Sequence, residues 1–164
     1  MKPPSHTVYT FTPSPLGRMC LAAAGQHLVG AWFEGQTHWP DLTACEPVTH
    51  HPVLQLAAIQ LAEYFAKQRT AFELPLDLSA GTAFQQAVWH ALLHLTPGQT
   101  CSYQSLSQQI GRPKAARAVG AAVGKNPLSI IVPCHRVLGA HGALTGYAGG
   151  LDRKTALLRL EGIL

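Results

Sequence analysis

The chain has 164 residues, 47% of them hydrophobic and 12% charged, enough for one full core or for a small domain beside a standard one. No apolar run approaches bilayer-spanning length, and Met1-Lys2-Pro3-Pro4-Ser5-His6 lacks the apolar core of a secretory signal, so membrane and secreted classes are set aside and a cytoplasmic protein is expected. The net charge of +4 favours a polyanionic partner.

Residues 7–33 read as short strands joined by turns. Val8-Tyr9-Thr10-Phe11 alternates, Pro13-Ser14-Pro15-Leu16-Gly17 is turn chemistry, and Leu28-Val29-Gly30-Ala31-Trp32-Phe33 resumes as a strand. From Pro52, apolar residues at Val53, Leu56, Ala57, Ile59, Leu61 and Phe65 predict a helix. Residues 71–80, with Glu73-Leu74-Pro75-Leu76-Asp77-Leu78, read as a last strand that runs into a linker. The boundary is expected between Leu78 and Thr82, giving an N-terminal α/β domain over 1–79 and a C-terminal domain over 80–164.

The second half reads as helical. Thr82 and Gln85 match a capping box, with Phe84, Val88, Ala91, Leu92 and Leu95 on one face of the helix that follows. Ser102 can cap a helix over 103–110 that Gly111 ends, and Pro113 suits the first turn of another running to about Val123. Two short helices joined by Gly111-Arg112 look like a helix-turn-helix. In the second, Ala115, Ala116, Ala118, Gly120, Ala121 and Ala122 leave little bulk while Arg117 projects among them. Such a surface can approach DNA phosphates and the minor groove closely. Packing inside the domain is the other use of small residues, and Val119 and Val123 require it of one face. After Asp77 the only acids are Asp152 and Glu161, so the basic excess lies in this half.

The most informative stretch is Ile130-Ile131-Val132-Pro133-Cys134-His135-Arg136-Val137. Its β-branched run reads as a buried strand that Pro133, which cannot donate to a ladder, brings to a stop. Cys134 then stands at a strand end, rigidly held yet exposed. A free thiol has a pKa of about 8.5 and is a poor nucleophile at neutral pH without help, which His135 or Arg136 could supply. Neighbours on an extended strand point to opposite faces, so contact between Cys134 and His135 needs a water bridge or a kink after Pro133. Read alone, Cys134 also fits a buried small hydrophobe.

The run Gly111-Arg112-Pro113-Lys114-Ala115-Ala116-Arg117-Ala118-Val119-Gly120, then Lys125-Asn126-Pro127, then Pro133-Cys134-His135-Arg136-Val137, closely resembles the O6-alkylguanine-DNA alkyltransferase (methylated-DNA–protein-cysteine methyltransferase) family. Leu144-Thr145-Gly146-Tyr147-Ala148-Gly149-Gly150-Leu151 and Leu157-Leu158-Arg159-Leu160-Glu161 continue the match in order. It is specific from about Gly81 onward and looser over 7–80, where Ser14-Pro15-Leu16-Gly17 carries it. The resemblance implies an α/β fold: a small N-terminal ribonuclease-H-like sheet domain joined to a helical, winged-helix-like C-terminal DNA-binding domain. The implied activity is a single, stoichiometric transfer of an alkyl group from O6-alkylguanine, and from O4-alkylthymine, in DNA to Cys134.

Site roles follow from the same resemblance. It makes His135 a base acting through a bridging water, Glu161 the residue that orients and polarises it, and Asn126 the holder of the supporting turn. Tyr103 is placed by the target phosphate with its hydroxyl donating to guanine, Arg117 in the gap left by the extruded nucleotide, and Ala116 and Lys125 at the DNA. Tyr147, Ala148 and Gly149 form the lid over the flipped base, the last two leaving room for groups larger than methyl. The expected partner is double-stranded DNA carrying the lesion, bound by a monomer, with no cofactor.

Cys20, Cys45, His27, His38, His50 and His51 lack ligand spacing, and Ala24 stands where zinc-binding relatives carry cysteine, so no metal is expected. The four cysteines show no paired spacing and fit a reducing compartment. Two other readings stay open: a DNA-binding module without chemistry, and a cysteine hydrolase built on Cys134, His135 and Glu161.

Overall fold

A computed structural model describes residues 2–164. The backbone divides into two compact units, one built from the chain up to Ala80 with Pro127–Ile131, the other from Gly81–Asn126 and Val132–Leu164. Pro127–Ile131 thus lies, in the chain, inside the stretch expected to form the second domain.

The first unit is a sheet of β1 (Thr7–Thr12), β2 (Met19–Ala24), β3 (His27–Phe33) and β4 (Glu46–Pro47), ordered β3-β2-β1-β4. β1 and β3 each pair antiparallel with β2, and β4 pairs parallel with β1. The turn after β1 closes with Gly17 N–H donating to Ser14 O at 3.1 Å. β2 is buried from Met19 to Ala23, so both of its faces are covered and its Met-Cys-Leu-Ala-Ala-Ala run shows no alternation. α1 (Pro52–Phe65) packs on the sheet, with a proline at its start where a backbone donor is not needed. It buries Val53, Leu54, Ala57, Gln60, Leu61 and Tyr64. Leu56 and Ile59, counted from the sequence among the apolar positions, stay 41% and 56% exposed because they lie on the side of the helix away from its buried face.

Two sequence expectations are corrected in this unit. Residues 71–80 form no strand: Leu76 makes a lone bridge to Leu28, held by Leu28 N–H to Pro75 O at 2.7 Å and Asp77 N–H to Leu28 O at 3.0 Å. Pro75 offers no donor with which to extend the ladder. Nor do residues 130–132 form a strand. Leu128 bridges Ala31, with Ala31 N–H on Pro127 O at 2.9 Å and Ser129 N–H on Ala31 O at 2.8 Å. Ile130 then adopts φ +73°, a strained conformation for a β-branched residue, and the backbone leaves the pleat. The apolar run is buried without being paired.

The second unit contains α2 (Ala83–Leu93), β5 (Cys101–Ser102), α3 (Tyr103–Gln109), α4 (Ala116–Gly124), β6 (Val137–Leu138) and α5 (Leu151–Leu160), with β5 and β6 paired in parallel. Thr82 and Gln85 form the capping box on α2, and Ser102 Oγ accepts from Ser105 N–H at the start of α3. Helices α2, α3 and α4 pack on one another around Trp89, whose Nε1 donates to Ala122 O at 2.9 Å. A Cβ at Gly81 would lie 2.2 Å from the Trp89 ring, so this position takes no side chain. Gly111, at φ +69°, makes the turn after α3. α4 begins at Ala116, later than Pro113 predicts. The Pro113 carbonyl, which a helix from that residue would use for its own first bond, instead accepts from Gln104 Nε2 at 2.9 Å.

Candidate active site

Cys134, His135 and Arg136 form one turn of 3-10 helix immediately before β6. This corrects the strand-end placement: the turn is closed by Cys134 N–H to Val132 O at 2.7 Å and Arg136 N–H to Pro133 O at 3.0 Å. Cys134 is 4% exposed and His135 is fully buried, so the sulfur is not displayed on the surface as a strand end would display it. With about three residues per turn, adjacent side chains diverge by less than the opposition a strand imposes.

Asn126, two residues after α4, reaches the sulfur from the side. Its Nδ2 donates to Val132 O at 2.8 Å and to Cys134 Sγ at 3.0 Å, so one amide both ties the turn and faces the thiol. Burial pushes the Cys134 thiol up to about 11, against the Asn126 N–H, the positive charge of Lys154 and the N–H groups of Cys134 and His135. The resting group is therefore a protonated thiol that needs a base.

His135 supplies the geometry for one. Its Nε2 lies 2.9 Å from Glu161 Oε1. Burial holds the imidazole below its ordinary range although Glu161 pulls the other way, so at neutral pH the ring is uncharged. An ionised carboxylate only accepts, so Nε2 carries the proton and Nδ1 keeps its lone pair. Nδ1 is buried and has no protein hydrogen-bond partner among the described residues. Glu161 caps the C-terminal end of α5, a position unfavourable to negative charge. Arg136 offsets this with a two-pronged contact, Nε to Oε2 and Nη2 to Oε1 both at 2.8 Å, while its Nη1 donates to Leu95 O at 2.6 Å.

The segment between β6 and α5 is irregular over 143–149. Tyr147 and Ala148 are half-buried and Gly149 is buried. Tyr103, the first residue of α3, places its hydroxyl 3.3 Å from both Thr145 O and Gly146 O, and burial raises its pKa and keeps it a donor. Lys154 Nζ donates to Val137 O, Thr145 O and Gly146 O at 2.6, 2.7 and 3.3 Å. On α4, Val119, Ala122 and Val123 face inward while Arg117, Ala118 and Ala121 are exposed, with Lys125 exposed beyond them and Ala116 half-buried. Arg117 makes no ion pair among the described residues.

The structure thus brings Cys134, Asn126, His135 and Glu161 together and ties Thr145 and Gly146 to Tyr103 and Lys154, while Arg117 and Lys125 lie on the open face of α4. Sequence reasoning left two participants without a role. Arg136 was noted only as a charge next to the thiol. Lys154 belongs to the basic excess of this half, yet Lys154, Leu157, Leu158 and Glu161 share one helix face, and a lysine on an apolar stripe signals burial.

Fold and site together define a two-part protein in which a cysteine with a histidine–glutamate pair is built into a helix-turn-helix unit. The 6-O-methylguanine DNA methyltransferase models match both parts, the ribonuclease-like domain over residues 7–78 and the DNA binding domain over 83–163, and the chain belongs to this family. It is 50% identical over 153 residues to a methylated-DNA–protein-cysteine methyltransferase of Mycobacterium tuberculosis, covering 93% of this chain and 91% of the relative. The protein of that name from Haemophilus influenzae is 42% identical over 160 residues, covering 94% and 86%. A crystal structure of Mycobacterium tuberculosis OGT in complex with DNA superposes with a TM-score of 0.87 at 49% identity, covering 94% of this chain and 92% of that one.

Proposed function

We propose that this protein repairs O6-alkylguanine, and also O4-alkylthymine, in double-stranded DNA by transferring the alkyl group to Cys134 Sγ, once per molecule. The observation that carries the reading is the buried thiol facing the Asn126 amide at 3.0 Å beside an imidazole whose Nε2 is held by Glu161 at 2.9 Å. That arrangement can form a thiolate transiently in a site closed to bulk water.

The target oxygen is stacked inside a duplex, so the base must be rotated out, at a cost of a few kcal/mol. The exposed small residues of α4 let the backbone approach the groove, Arg117 fills the gap left in the stack, and Ala116 and Lys125 hold the DNA beside it. Residues 147–149 close over the extruded base. The Sγ proton passes through an intervening water to His135 Nδ1, and Glu161 with Arg136 behind it balances the imidazolium charge. The thiolate attacks the alkyl carbon in line; the S–C bond forms as the C–O6 bond breaks, and its electron pair leaves on the guanine. Tyr103 donates a hydrogen bond to the departing base. The product is a thioether, which water does not cleave, so the site is spent and no cofactor takes part. The protein acts as a cytoplasmic monomer; no helix among the described residues is long and apolar enough to cross a membrane.

The test is intact mass followed by peptide mapping after incubation with a duplex carrying one O6-methylguanine. The expected result is one methyl group per chain, on Cys134. Methyl on another cysteine, or continued turnover by a catalytic amount of protein, would refute the reading, the latter in favour of hydrolysis.

A further inference from the structure

Lys154 is fully buried, and all three acceptors of its ammonium are backbone carbonyls. A lysine side chain in that position costs more to bury than an apolar residue of equal size, unless its charge is used. Its carbonyl partners come from two places: Val137 is the first residue of β6, directly after the Cys134 turn, while Thr145 and Gly146 begin the segment that carries Tyr147, Ala148 and Gly149. One cation therefore joins the strand that follows the nucleophile to the segment that carries Tyr147, Ala148 and Gly149. Arg153, its neighbour on α5, holds the far end of the same segment through Gly149 O at 3.0 Å. The ammonium is also near enough to the sulfur for the two to interact electrostatically.

We propose that Lys154 is a positioning residue for alkyl transfer: it clasps residues 145–149 to the start of β6 and presents a positive charge to the Cys134 sulfur as it ionises. This rests on Cys134 being the acceptor and on residues 147–149 being the lid. The titratable groups that face Lys154 are Cys134 and His135 on the 3-10 turn, with Tyr103 of α3 sharing its carbonyl partners. Burial lowers the ammonium to about 8, so the clasp is charged at neutral pH and loses its proton just above it. Alkylation neutralises the sulfur, after which only the carbonyls still hold the charge.

The test uses the whole protein without DNA. Cys134 labelling by iodoacetamide, resolved from the other cysteines by peptide mass, is followed at neutral pH alongside hydrogen exchange. Lys154→Met keeps the bulk and removes the charge. It should slow Cys134 labelling about three- to fourfold, the net effect of raising the thiol by about one pKa unit and making its thiolate more nucleophilic, and speed amide exchange over 145–149 while α2 is unchanged. Lys154→Arg keeps the charge and should label near the wild-type rate. A merely structural lysine predicts the opposite sign, because a loosened pocket would expose the sulfur and label faster in the Met variant; that result overturns the proposal. Should neither variant fold, the wild-type protein decides. Corrected for intrinsic exchange, protection over 145–149 should drop as pH rises past about 8 while protection in α2 holds, and flat protection through that range overturns the clasp. None of these readouts involves methyl transfer, so failure of the repair reading would show separately in the mass assay on lesion DNA.

Discussion

Replacing Asn126 probes the contact on which the site depends most. Its amide meets the sulfur at 3.0 Å and Val132 O at 2.8 Å, so Asn126→Ala removes a donor from the thiolate and from a buried carbonyl together. A hydrogen bond to a charged group contributes about 1.5–3 kcal/mol, which raises the thiol by roughly one to two pKa units beyond its resting value. A more basic thiolate is also a stronger nucleophile, and a Brønsted slope of about 0.4–0.5 recovers nearly half of that loss in logarithmic terms. The net expectation is a fall of about three- to tenfold in the transfer rate, with about 0.5–1.5 kcal/mol of stability lost with the bond to Val132 O, which keeps the Cys134 N–H as a donor. Asn126→Asp sets a carboxylate against the sulfur and should be slower than the alanine variant, increasingly so as pH rises and the carboxylate ionises. The assay is single-turnover transfer from a free alkylated guanine base, which needs no unstacking and reports only on the pocket. Wild-type rates in a folded Asn126→Ala protein, or an aspartate variant faster than the alanine one, would refute the reasoning.

Cys134→Ala should abolish transfer while duplex binding survives, since the basic helix pair is untouched; labelled methyl appearing on Cys20, Cys45 or Cys101 would contradict this. Arg117→Ala should impair reaction with duplex far more than with free base, and the defect should persist at low salt, where a purely electrostatic loss would be recovered; equal losses on both substrates would place Arg117 in the pocket or the fold. Because burial holds His135 below its ordinary 6.5, the unfolded chain takes up a proton that the folded one refuses as pH falls. The stability this residue contributes is therefore present above that value and lost as pH drops through it, and denaturant titrations of His135→Gln should show a flatter acid limb than the wild type. Gly81→Ala, with its Cβ 2.2 Å from the Trp89 ring, should cost about 1–3 kcal/mol of stability while the transfer rate per folded molecule is unchanged.

Much of this protein is written in signals that act within a few residues. Thr82 and Gln85 close a capping box on each other, Ser102 caps α3 on a neighbouring amide, and Gly111 takes the positive φ that ends the helix; each was legible because donor and acceptor are near in the chain. The split of α4 into a packed face and an open one, with Arg117 among small residues on the latter, was legible for the same reason, since helical periodicity orders both faces. Tertiary structure decided the rest. The Ile130-Ile131-Val132 run announces burial but not its shape, because a strand exists only where a partner is available, and Leu128 alone finds one on Ala31 before Ile130 turns away. Cys134 was legible as a chemical residue, yet its burial and its approach by Asn126 depend on how the chain returns after α4. In the sequence Lys154 is one more charge in a basic half of the chain, and Arg136 a charge beside the thiol. What makes them parts of the site is the set of acceptors assembled around them, three carbonyls from two segments for one and Glu161 with Leu95 O for the other, and contacts between such distant positions arise only once the chain has folded.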